Sequence, residues 1–250
     1  MNGTVDLTAL ALLGVVTGAL VWRAAARERR DYARFKRLRS TLARQRVYRR
    51  WLIEAFLALG GLAAASILGG WASIAPLLAA AQEWPPIAAS RDVLGAPYGP
   101  WVALGVTVLV VAVLVLPALL LRGTPIDEAP ALGDIRALLP RTRGELPYGA
   151  ALSINAGVVE ELLFRLGIPA LVYAITGEGV VAFVAATLLF GLLHAYQGPT
   201  GVLASTIVGV VFVYLYLVTG SILVPIALHA LFDLRSMVLI PLVLGTAARR

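Results

Sequence analysis

The chain reads as a series of apolar runs separated by shorter polar stretches. The runs occupy residues 7–22, 52–81, 101–121, 148–175, 179–195, 201–218 and 221–244. A helix needs roughly 20 apolar residues to cross the hydrocarbon core of a bilayer. The 101–121 run is the clearest case, with 21 residues and no charge. Residues 82–100, with Pro85, Pro86, Pro97 and Pro100, read as a loop, as do residues 122–147, with Pro125, Pro130 and Pro140. Gly60-Gly61 and Gly69-Gly70 in the second run permit close helix approach. No internal repeat or low-complexity tract breaks the series. The pattern predicts an all-α fold: a polytopic membrane helix bundle of about seven transmembrane helices, with room for an eighth short one.

Composition agrees. Hydrophobic residues make up 60% of the 250 and charged residues only 14%, against about 45–50% and about 25% in ordinary soluble domains. A soluble globular enzyme is therefore excluded as the default. The net charge of +7 suggests nucleic acid, but its distribution argues for no nucleic-acid partner. Residues 23–50 hold 12 of the 21 basic side chains against only Glu28 and Asp31, so the rest of the chain is net negative. This block reads as a solvated topology determinant, and it is also placed to meet anionic lipid headgroups. It follows the 7–22 run instead of preceding it, and no small-residue cleavage site follows. That run is thus expected to be a retained anchor helix and not a signal peptide. The positive-inside bias puts the 23–50 loop in the cytoplasm. Seven alternating spans then leave the N-terminus outside and Arg249-Arg250 in the cytoplasm. With no Cys there is no disulfide, thiolate metal site or Cys nucleophile.

The informative residues are the few charges inside the apolar runs, because a charge at the bilayer centre costs about 2.5–3.5 kcal/mol on insertion scales. Glu160, Glu161 and Arg165 fall in the fourth run, His194 in the fifth, and His229, Asp233 and Arg235 in the seventh. The chain has two histidines, and both sit in these runs. Glu161 and Arg165 are four apart and can pair on one helix face. Glu160 projects about 100° away and is free to face something else. Phe190 and His194 share a face, as do His229 and Asp233. Arg235 is expected to snorkel toward the headgroups.

Such a set supports hydrolysis. A buried Glu near a His can act as general base on water, while a second His and a carboxylate or amide stabilise the oxyanion. Alternatively, Glu160, His194 and His229 supply three zinc ligands and leave a fourth position for water. No HExxH motif, nucleophile elbow or P-loop is present.

Three of these clusters resemble the motifs of the CPBP intramembrane proteases. That family includes the type II CAAX prenyl proteases (Rce1-like) and the bacteriocin-immunity proteins called Abi. The run from Glu160 to Arg165 is similar to EExxxR, Phe190 to His194 to FxxxH, and His229 to Asp233 to the third motif, His followed four residues later by Asn or Asp. Leu139-Pro140-Arg141 resembles the loop that leads into the first motif. The resemblance covers about residues 139–235. It implies residues 139–250 as the family's membrane core, with 51–138 as additional helices and loops and 1–50 as an anchor and basic segment.

On this resemblance Glu160 is the general base or a metal ligand. His194 assists water activation or binds metal. His229 and Asp233 form the oxyanion-stabilising pair, or His229 is a ligand. Glu161, Arg165 and Phe190 support the site structurally. Prenyl-protease relatives favour Asn where this chain has Asp233, and a carboxylate donates a hydrogen bond only when protonated. The implied activity is endopeptidase cleavage of a membrane-anchored protein or peptide, with zinc or without metal. The alternative is a non-proteolytic immunity or interaction protein of the same fold. A proton- or metal-coupled transporter is disfavoured, because no paired half-repeats are seen. Arg outnumbers Lys 20 to 1. This suggests a GC-rich prokaryotic source and an inner or plasma membrane, and hence a substrate other than a prenylated one.

Overall fold

A computed structural model describes residues 6–123 and 133–244. Among them there are helices and no strands. Arg249, Arg250, Pro125 and Pro130 lie outside the described residues.

Among the described residues, leaving aside short 3-10 turns, nine helices follow in chain order. They are α1 (Leu7–Phe35), α2 (Thr41–Gly69), α3 (Trp71–Gln82), α4 (Pro85–Gly95), α5 (Gly99–Leu120), α6 (146–176), α7 (Gly179–Leu193), α8 (Pro199–Thr219) and α9 (Leu223–Val243). Among the described residues six helical stretches are long and apolar enough to cross a membrane: α1, α2, α5, α8, α9 and Gly179–Gln197, which is α7 with the turn after it. Such a set is what a polytopic membrane protein requires. The fourth expected span, α6, is helical throughout but carries Glu160, Glu161 and Arg165 and falls outside that apolar set.

The first two spans differ from the expectation. The basic block is not a separate segment between them, because both helices run on through it. Residues 23–50 lack Gly and Pro and are rich in Arg, Ala and Leu, all good helix formers. The helix breaks only at Lys36–Ser40, where Ser40 is extended ahead of α2. At 1.5 Å per residue, a 29-residue helix is about 43 Å long and exceeds the roughly 30 Å hydrocarbon core. The basic ends of α1 and α2 therefore form a helical hairpin held by ion pairs. Arg27 meets Glu54 at 2.6 Å, and Arg50 meets Asp31 at 3.0 Å.

Two further boundaries moved. The expected 52–81 run divides at Gly69–Gly70, where α3 begins. A Cβ on Gly70 would lie 2.7 Å from Ala170 Cβ, so the bare glycine lets this corner press on α6. The expected 82–100 loop contains α4, because Pro85 and Pro86 occupy its first turn, where no backbone N–H is needed. In α9 the chain does not break before Pro241. A π turn, Arg235–Leu239, absorbs it.

One charge in the basic block is not solvated. Arg44 is 1% exposed and pairs with the fully buried Glu145 at 3.1 Å. The same guanidinium donates to Tyr48 Oη at 2.8 Å and to the carbonyls of Ala137 and Leu139. It also sits 4.4 Å over the Phe35 ring. Glu145 additionally accepts from the Arg141 amide at 2.9 Å. Burial, and then the nearby Arg44 charge, push the Arg141 guanidinium below its ordinary value. Lys36 pairs with Asp134 at 2.6 Å, and Tyr32 Oη donates to the Asp134 carbonyl. These contacts strap the 133–145 segment across the α1–α2 hairpin, beside the cavity described next.

Candidate active site

The site is built where α6 and α9 touch most closely. A Cβ on Gly157 would lie 2.8 Å from the Ala230 backbone nitrogen, so only glycine lets the two axes approach at this level. The next turn of α6 carries Glu160 and Glu161, and His229 precedes Ala230. Immediately after Glu161 the helix widens into a π segment, Leu162–Gly167, which contains Arg165. Such segments often mark functional sites.

Glu161 and Arg165 pair as the spacing predicts, Nε to Oε2 at 3.1 Å, with both side chains buried. The sequence did not reveal the other half of this carboxylate. Glu161 Oε1 accepts from His229 Nδ1 at 2.7 Å. Arg165, Glu161 and His229 thus form a chain from the bundle interior to the cavity. The Arg165 guanidinium is packed 4.6 Å over Phe190 and 5.6 Å over Phe212. Phe212 also covers the His229 ring at 5.2 Å. Phe190, expected to pack, meets the Phe164, His194 and His229 rings and holds them in one cluster.

With Nδ1 occupied by Glu161, the free nitrogen of His229 is Nε2. It lies 3.9 Å from Glu160 Oε2 and 3.8 Å from Asp233 Oδ2. His194 ends α7, and its Nδ1 lies 2.8 Å from the Phe190 carbonyl. Since that carbonyl accepts only, Nδ1 carries the proton and Nε2 is left as an acceptor. Glu160, His194, His229 and Asp233 all line one cavity of about 500 Å³. Glu160 thus faces away from Glu161 into open space, as the 100° offset predicts.

The cavity wall also holds residues that the sequence reading passed over. Glu28 and Arg23 on α1 line it, so the basic block reaches the site; they pair with each other at 2.9 Å. Asn155 lines it one turn before Val159, and its polarity within an apolar run was the available signal. Tyr196 lines it too, and nothing in the local spacing singled it out. Arg235 does not snorkel freely. Its guanidinium lies 4.5 Å over Phe232, donates toward the Val113 carbonyl at 3.4 Å, and lines the cavity.

Zinc was the open alternative for Glu160, His194 and His229. Among the described residues no three His, Asp or Glu side chains are grouped to hold a metal ion. The ring nitrogens at Nδ1 are committed to Phe190 and Glu161. Both Nε2 atoms stay free, the orientation a metal-ligating histidine also takes, and the chemistry below uses the chain's own groups.

Fold and site together define a class: a polytopic helical membrane protein with a carboxylate–histidine centre enclosed among its helices. Residues 142–235 match the family model described as type II CAAX prenyl endopeptidase, Rce1-like. The matched stretch, under half of the chain, contains Glu160, Glu161, Arg165, Phe190, His194, His229 and Asp233, and it is similar to the family that the motifs resemble. It points to a CAAX-type intramembrane protease. No curated protein and no solved structure matches the chain.

Proposed function

We propose that the chain is an intramembrane endopeptidase that hydrolyses a peptide bond in a membrane-anchored protein or peptide. The observation that carries this is the convergence of Glu160, His194, His229 and Asp233 on one cavity, with His229 held from behind by Glu161.

Glu160 takes the proton from a water as that water attacks the scissile carbonyl, and returns it to the leaving amine. His194 accepts the water's second hydrogen bond at Nε2 and so aims it. His229 presents Nε2 to the oxyanion. Glu161 sets the tautomer and offsets the charge when the ring is doubly protonated, the role a buried carboxylate plays behind a catalytic histidine. Asp233, at 3.8 Å from Nε2, keeps that nitrogen on the cavity side and adds a donor when protonated.

The exposed arginines on the outer face of the hairpin, among them Arg29, Arg34, Arg46 and Arg49, are the ones placed for anionic headgroups. Each contributes about 1 kcal/mol near an anionic surface. Arg44 is engaged inside the protein, and Arg27 and Arg50 are engaged in ion pairs across the hairpin.

The test is cleavage of anchored reporter peptides by purified protein in liposomes, with Glu160→Ala beside it and metal content measured in the same preparation. Loss of cleavage in Glu160→Ala supports the reading. Full activity in that variant removes Glu160 from catalysis. Complementation of a deletion phenotype by alanine variants of Glu160, His194 and His229 would establish the non-proteolytic alternative.

A further inference from the structure

Tyr196 lies in the one-turn 3-10 segment, His194–Gln197, that closes α7. Its ring stacks on His194, with centroids 6.1 Å apart and planes 29° apart, and meets Tyr32 of α1 edge-on at 5.6 Å. The ring is thereby fixed between a site residue and the α1–α2 hairpin. Its phenol oxygen accepts a hydrogen bond from Gln197 Nε2 at 2.9 Å. The phenol's own proton has no acceptor among the described residues. Tyr196 lines the same cavity as Glu160, His194, His229 and Asp233.

A phenol whose ring is held in place and whose donor is unused is ready to bond a ligand that enters the cavity. In an acyl-transfer site the partner that gains most from a neutral donor is the carbonyl oxygen as it becomes an oxyanion. We propose that Tyr196 is a further catalytic residue, donating a hydrogen bond from its phenol to the scissile carbonyl oxygen beside His229. No bond to Tyr196 forms or breaks, and its proton stays on the phenol. Gln197 is the positioning residue: its side-chain amide N–H, donating to the phenol oxygen, turns the hydroxyl proton into the cavity. The inference rests on the endopeptidase reading and deepens it.

The test uses the full-length protein in liposomes, first screened against a panel of anchored peptides for Glu160-dependent cleavage. Tyr196→Phe keeps the ring and its stacking and removes only the donor. The expected result is a fall in kcat of about 100-fold, the usual cost of one oxyanion donor, with KM and Tm unchanged. A phosphonamidate isostere of the cleaved peptide, which mimics the tetrahedral state, should lose affinity by the same factor, while the uncleaved peptide should not. Gln197→Ala should give a smaller loss in the same direction. A Tyr196→Phe rate within twofold of the parent overturns the inference and leaves the endopeptidase reading intact. Equal loss of affinity for isostere and peptide makes Tyr196 a ground-state contact and overturns it too. Failure of every peptide to show Glu160-dependent cleavage takes down the underlying reading, and this inference with it.

Discussion

Helices α5 and α6 are both long enough to span a bilayer, and they were built for different surroundings. Helix α5 is a Val/Leu run with no charge, and within it only Gly99 and Ala118 are buried. Helix α6 carries three charges and is buried along much of its length, on polar and small residues such as Gly149, Ser153, Gly157, Glu161 and Arg165 as well as on apolar ones such as Leu163, Phe164 and Leu171. In lipid, an apolar side chain gains little by turning toward another helix, because acyl chains solvate it equally well. Small and polar residues gain most by facing protein. The most hydrophobic helix is therefore the peripheral one, and the helix that hydropathy alone would leave out is central to the site.

This contrast can be tested step by step. The largest effect is expected at Glu160. Alanine there should lower peptide cleavage per folded molecule by about 100- to 10,000-fold, the range for a general acid–base group. Leu116→Ala on α5, at an exposed position, should leave the rate as it was. Next comes Arg165. Alanine would leave the buried Glu161 charge uncompensated, at a cost of about 3–5 kcal/mol, read as a large drop in Tm in detergent. An Arg165→Ala protein as stable as the parent would show that the Glu161 charge is neutralised in another way.

Glu161→Gln sharpens the comparison within α6 itself. It keeps the shape of the side chain but weakens its hold on His229. Cleavage should fall at least about tenfold, as a misset histidine tautomer requires, with a smaller change in Tm than Arg165→Ala causes. If the rate falls only in proportion to lost folded protein, Glu161 is a clamp for Arg165 and nothing more. The smallest effect belongs to α5: Val111→Ala, with its side chain half-exposed, should shift stability by no more than about 0.5 kcal/mol.

A similar contrast runs through the basic block. Arg44 and Arg49 look alike in sequence, five residues apart in one arginine-rich stretch. One is buried against Glu145, and the other is exposed. Nothing within the block distinguishes them, because the partner of Arg44 lies 101 residues away. The reading of 23–50 as a solvated stretch therefore fails at Arg44. Likewise the turn near residue 40 was not marked by Gly or Pro. Helix propensity through the arginines carried both spans past the expected membrane edge.

The sequence by itself determined the helical membrane class, most of the span limits and the short set of ionisable residues worth examining. It did so because both signals are local. Apolar runs report lipid solvation, and the cost of a membrane charge makes each one conspicuous. It also determined that Glu160 and Glu161 face different ways, since helical geometry alone requires that. Only the tertiary structure decided which partner each group took. Glu161 meeting His229, Arg44 meeting Glu145 and Tyr196 stacking on His194 are contacts between elements. They depend on how closely backbones approach, as at Gly157 against Ala230, and on which side chain fills the space left. Those distances follow from the packing of the whole bundle, and no stretch of the chain encodes them alone.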